Sequence, residues 1–139
     1  MNKNYLLLML VFLFTGCVTD SRKELFATDQ SQVQLRSYQS RIFDTADTDK
    51  TLKTVVATLQ DLGFVISKAD SVVGVITGEK YANKHSAVLT VTVQARGKTQ
   101  TMVRANVQQH LKAVEQPEPY QDFFTALEKA MFLTAHSVE

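Results

Sequence analysis

Few side chains in this 139-residue chain stand where they could do chemistry. The three histidines, His85, His110 and His136, fall in separate segments with no HxH or HExxH spacing. Two imidazoles must reach one face at short spacing to hold a metal, so these read as ordinary surface histidines, and no metal site is expected. Carboxylates gather at Asp44, Asp47 and Asp49. A calcium loop would need further oxygen ligands at fixed steps and usually a bidentate Glu, whereas helix capping accounts for acids at such a position. No GxSxG or SxxK places a serine for activation, and none of the five glycines opens a helix as a phosphate loop does. The candidate catalytic set is empty, so a non-enzyme without a cofactor is expected. What remains is the one thiol, Cys17.

Cys17 follows a basic residue, Lys3, an apolar run from Tyr5 to Phe14, and the small pair Thr15-Gly16. A basic start, a short apolar stretch and small residues at a cut site make a secretory signal. The run is well short of the roughly 20 residues that a membrane-spanning helix needs. By itself this leaves three readings of the thiol: a lipid carrier, a residue just past a secretory cut near Gly16, or a buried structural cysteine. The segment Phe14-Thr15-Gly16-Cys17 resembles the lipobox of bacterial lipoproteins, in which Leu, a small residue, and Gly or Ala precede the cysteine. Phe14 departs from that pattern, with Leu13 standing one place early. The resemblance implies diacylglycerol on the Cys17 sulfur, cleavage between Gly16 and Cys17, and acylation of the new amino terminus. By the sorting rule of such proteins, Val18 in place of Asp implies the outer membrane, with the domain facing the periplasm. A single acyl chain holds a protein only reversibly, at roughly 0.8 kcal/mol per buried CH₂; the three chains implied here would make attachment effectively permanent.

The positioning elements lie beyond the anchor. Removal of residues 1–16 leaves 123 residues, enough for one domain with a real core. Residues 17–33 are polar and without period, interrupted mainly by Leu25 and Phe26, and read as a flexible tether spanning roughly 20–25 Å. A single α+β domain is expected over 34–139. Arg36 to Phe43 reads as a first strand, and Asp47 as the N-cap of a helix whose Leu52, Val55, Val56, Leu59 and Leu62 share one face, with Gly63 ending it. Strands are expected at 64–68 and 72–81, the latter with Gly74 and Gly78 marking a bulge or a close backbone approach. Alternation over 87–94 and 101–108, joined by Arg96-Gly97-Lys98, reads as an antiparallel pair covered on one side. After Pro117 and Pro119 comes a last helix, with Tyr120, Phe124, Leu127, Met131, Thr134 and Val138 on one stripe. The order β-α-β-β-β-β-α predicts a two-layer sandwich, an antiparallel sheet of about five strands with two helices on one face. In topology this resembles the helix-grip domains of small outer-membrane lipoproteins such as BamC of the barrel-assembly machinery, as does the helix-Gly-strand junction Leu59 to Ile66.

Charge narrows the partners. The chain carries 15 basic and 14 acidic side chains, and loss of Lys3 with the signal leaves 14 of each. That balance argues against nucleic acid. Between Glu79 and Glu115, however, Lys80, Lys84, Arg96, Lys98, Arg104 and Lys112 occur without an acid among them. Arg96 and Lys98 at a hairpin tip and Arg104 on a polar strand face are the candidate contacts for an anionic headgroup, lipopolysaccharide or an acidic protein patch; a solvated, charge-guarded sheet face reads the same residues without a partner. On the last helix, Leu133 points off the stripe and Phe132 flanks it, as sheet-edge cover or as interface. The expected function is therefore docking of another envelope component at a membrane surface. The alternative is carriage of a small amphiphile in a pocket between the last helix and the sheet, lined by Phe124, Leu127 and Met131.

Overall fold

The computed structural model describes residues 32–82 and 85–136; the lipobox-like segment, Cys17 and most of the expected tether lie outside them. The chain divides into two compact units, Met1–Gln32 and Val33–Glu139. From residue 32 onward the elements are helix α1 (residues 32–39), strand β1 (Ser40–Phe43), helix α2 (Thr48–Asp61), strands β2 (Val65–Asp70), β3 (Val75–Ala82), β4 (His85–Arg96), β5 (Gln100–Gln109) and β6 (Lys112–Ala113), and helix α3 (Glu118–His136). All strand pairings are antiparallel, in the order β1-β5-β4-β3-β2, with β6 beside β5. The fold is α+β, and its element order follows the expected one with α1 and β6 added.

The first strand is shorter than its composition suggested. Residues 36–39 belong to α1, and only Ser40–Phe43 pairs with β5. Leu35 and Tyr38, one helical turn apart, pack against the core. Two apolar residues make no stripe visible in sequence, so tertiary packing rather than periodicity holds this helix. Residues 32 and 33, expected to close the tether, fall in this helix.

Helix α2 begins where its cap was expected: the Asp47 carboxylate accepts the Lys50 amide at 2.8 Å. Leu52, Val55 and Leu59 are buried, and Val56 and Leu62 pack against them. Thr51, Thr54 and Thr58 are buried beside them. Their hydroxyls donate to the carbonyls of Asp47, Lys50 and Thr54, so threonine enters the core without an unpaired oxygen.

Strand pairing sorts every side chain onto one of two faces. Rows Arg41–Val103–Val93, Ala105–Val91–Ile76 and Val107–Leu89–Gly78–Ile66 lie under α2 and α3, where Phe123, Phe124 and Leu127 complete the core. The two glycines of the third strand segment allow close approach in different ways. A Cβ on Gly74, whose φ is +74°, would collide with the Val93 carbonyl, while one on Gly78 would stand 3.1 Å from the Phe64 Cβ. The bulge lies in β2 instead, between Ile66 and Lys68.

Tyr120 closes the sheet edge between β1 and β6. Fully buried, its hydroxyl donates to the Val114 carbonyl at 2.6 Å and accepts from the Val107 amide and Gln39 Nε2, each at 3.4 Å. One side chain thus ties the start of α3 to α1, to β5 and to the loop after β6.

Candidate functional site

The face of the sheet turned away from α2 and α3 is the broadest candidate surface. Its middle row runs across five strands as Ser40–Arg104–Thr92–Val75–Asp70. Asn106–Thr90–Thr77–Lys68 and Gln108–Val88–Glu79–Val65 follow on one side, and Ile42–Met102–Gln94 on the other. Threonine and amide side chains hold six of these sixteen positions and charged ones four, mixed with the apolar Val75, Val88, Val65, Ile42 and Met102 on a pleated surface.

Only part of the expected basic cluster meets on this face. Arg96 shares it with Arg104, about 13 Å away at four residues of strand rise, and the Gln94–Met102 pair separates them. Lys98 sits in the turn joining β4 to β5. Lys80 falls on the opposite, helix-covered face. There its Nζ donates to the Leu62 carbonyl at 2.8 Å and lies 5.7 Å from the Phe64 ring centroid. Lys112 stands on β6, and Lys84 lies outside the described residues. Asp70 and Glu79 interrupt the positive field: the middle row ends on Asp70, whose carboxylate accepts the Val72 and Val73 amides.

Tyr81, exposed beside this face, donates its hydroxyl to Glu79. That hydrogen bond, and next the negative charge of Glu79, raise the phenol pKa above its ordinary value of 10.0.

The acidic trio near Asp44 is accounted for locally. Asp44 accepts from Gln100 Nε2 at 2.8 Å, Asp47 caps α2, and Asp49 sits in its first turn. The histidines remain in separate elements: β4, the turn before β6, and α3. Among the described residues, no group of three or more His, Cys, Asp or Glu is placed to hold a metal ion. Nor is any helix among them long and apolar enough to cross a membrane.

The pocket anticipated between α3 and the sheet is occupied by packing. Phe124 and Leu127 are fully buried, Arg41 lies 5.2 Å from the Phe124 ring centroid, and Met131 packs at the margin. Space exists instead at the other end of α3. A cavity of about 200 Å³ is lined there by Phe64, Lys80, Ala87, Leu89, Asp122 and Phe123, among others. Its cause is a small residue, Ala87, at the centre of the row Lys80–Ala87–Gln109, beside the first turns of α3, which contribute Pro119, Asp122 and Phe123 to the lining; sequence periodicity had no signal for it. Phe132 and Leu133 are 62% and 58% exposed near the end of α3.

No protein-family model and no curated protein matches this chain.

Proposed function

We propose that the chain is a lipid-anchored, periplasm-facing protein of the outer membrane whose α+β domain docks another envelope component and catalyses nothing. The lipobox-like Phe14-Thr15-Gly16-Cys17 supports the anchor, with Cys17 as the lipidated residue. The observation that carries the docking reading is the one-sided sheet: helices cover one face, and Arg104, flanked by Thr92 and Ser40, occupies the middle of the other. The contact residues in this reading are Arg96, Lys98 and Arg104, and the partner is an anionic envelope component or the acidic patch of an envelope protein. The carrier alternative has less support, because its lining residues Phe124 and Leu127 are consumed by the core.

Two measurements test this. Cys17→Ser should leave the domain folded and move the chain from the membrane fraction to the soluble one; unchanged fractionation would reject the anchor. The double charge reversal Arg96→Glu and Arg104→Glu should weaken co-purification of partners from detergent-solubilised envelopes at least severalfold. Undiminished recovery with the double variant rules out this face as the contact.

A further inference from the structure

We infer that the cavity at the Lys80–Ala87–Gln109 end of the sheet is a socket for one large apolar side chain of a partner protein, bounded by groups that pair with the partner's main-chain amides. This goes beyond the Arg96–Arg104 surface and lies on the other side of the sheet. The socket arises because the apolar inner rows stop at Gly78–Leu89–Val107. In the next row Ala87 leaves a gap between Lys80 and Gln109, after α2 has ended at Asp61 and where α3 has just begun. Leu89 and Val107 make the floor, and Phe64 and Phe123 the walls.

Size limits the occupant. An apolar cavity of about 150 Å³ takes up benzene, whereas sites for larger ligands start near 300 Å³. At about 200 Å³ this one suits a phenylalanine or leucine side chain. Charge limits it further. Lys80 and Asp122 both line the cavity, together with Gln109, whereas Lys112, next to Gln109 in the same row, does not. An anionic headgroup would meet the Asp122 carboxylate and a cationic one the Lys80 ammonium. A neutral peptide unit satisfies both, its carbonyl accepting from Lys80 or Gln109 and its N–H donating to Asp122. One Lys80 proton is engaged by the Leu62 carbonyl, and the ammonium has others to offer.

A second observation marks the same end of the molecule. The two-residue turn between Gln109 and Lys112 holds His110 at φ +50° and Leu111 at φ +64°. Such turns favour Asn-Gly, because a bulky L-residue is strained there. Leu111 is nevertheless present and 96% exposed, two residues from the socket-lining Gln109. The left-handed pair closes the β5–β6 hairpin, which does not itself call for a leucine, and the exposed side chain there fits an apolar contact with the same partner.

The test uses the full-length chain in phosphatidylcholine nanodiscs with methyl-labelled Ala, Leu and Val. N-acetyl-phenylalaninamide serves as the neutral probe and octanoate as the anionic one. Expected are saturable methyl shifts at Ala87, Leu89 and Val107 with the neutral probe, and nuclear Overhauser contacts from its ring to Leu89 and Val107. Ala87→Leu should fill the gap and weaken binding at least tenfold. Should that variant not fold, the Overhauser contacts in the unaltered chain decide by themselves. Absence of saturation up to the probe's solubility, contacts elsewhere, or tighter binding of octanoate than of the amide would overturn the proposal. The neutral probe does not report on Arg96 or Arg104, so this reading and the charge-reversal reading fail separately.

Discussion

The two faces of the sheet are built from the same strands and obey different physics. On the covered face, Val91, Val103 and Ala105 are fully buried, and each fits against α2 or α3 with no room to change. On the open face, residues from the same strands, Thr90, Thr92, Arg104 and Asn106, meet water. Stability therefore resides on one side of a single layer, and the other side is left available for recognition. Even the charges follow this division: Lys80, at the C-terminal end of α2, donates to the Leu62 carbonyl and lies over the Phe64 ring, whereas Arg104 across the sheet has no such duty in the strand pairing.

The sharpest way to break this comparison is to empty the covered face. Phe124→Ala should cost about 3–5 kcal/mol in urea unfolding, while Thr90→Ala should change stability by less than about 1 kcal/mol. Similar losses for both would mean that the open face is not open. Next in size is Tyr120→Phe, expected to lower stability by about 1–3 kcal/mol because the buried Val107 amide and Val114 carbonyl lose a partner. Unaltered denaturant midpoints would show that the hydroxyl does not close the sheet edge. Leu111→Gly should act in the opposite direction. Relief of the left-handed backbone predicts a gain of about 1 kcal/mol, and a loss would remove the strain argument.

The smallest effect concerns the open face itself. Glu79→Gln should return the Tyr81 phenol towards its ordinary pKa, read by NMR titration of the ring carbon. The sign follows from linkage. A phenol raised in the folded state contributes stability below its unfolded pKa and loses it as pH rises through the raised value, so any contribution lies in the alkaline range. At a fully exposed site it should barely move the unfolding curve near neutrality.

Much of the architecture was legible because the signals were long. Five apolar residues from Leu52 to Leu62 at helical spacing, an Asp47 cap and a following Gly63 specify α2 locally, and the alternation from Ala87 to Gln94 and from Thr101 to Gln108 specifies which face each residue takes. The misses share a cause. Helix α1 rests on Leu35 and Tyr38 alone, β6 is two residues long, and the buried Thr51, Thr54 and Thr58 look polar until their hydroxyls find backbone carbonyls. Basic residues close in sequence were separated because β3 carries Lys80 on the inner face, in step with Ile76 and Gly78, while Arg96 and Arg104 take the outer one. Two glycines in that strand segment hide the alternation that would have disclosed it.

By itself the sequence determined the lipobox-like segment at Cys17, the α+β class, and the identity of the principal helix and the central hairpin, since all of these depend on neighbours within one short stretch. Only the tertiary structure decided that a helix precedes the first strand, that Phe124 and Leu127 fill a core rather than line a pocket, and that open space lies above Ala87. Those outcomes depend on where two helices stop over a sheet, a distance set by residues far apart in the chain, which no local spacing encodes.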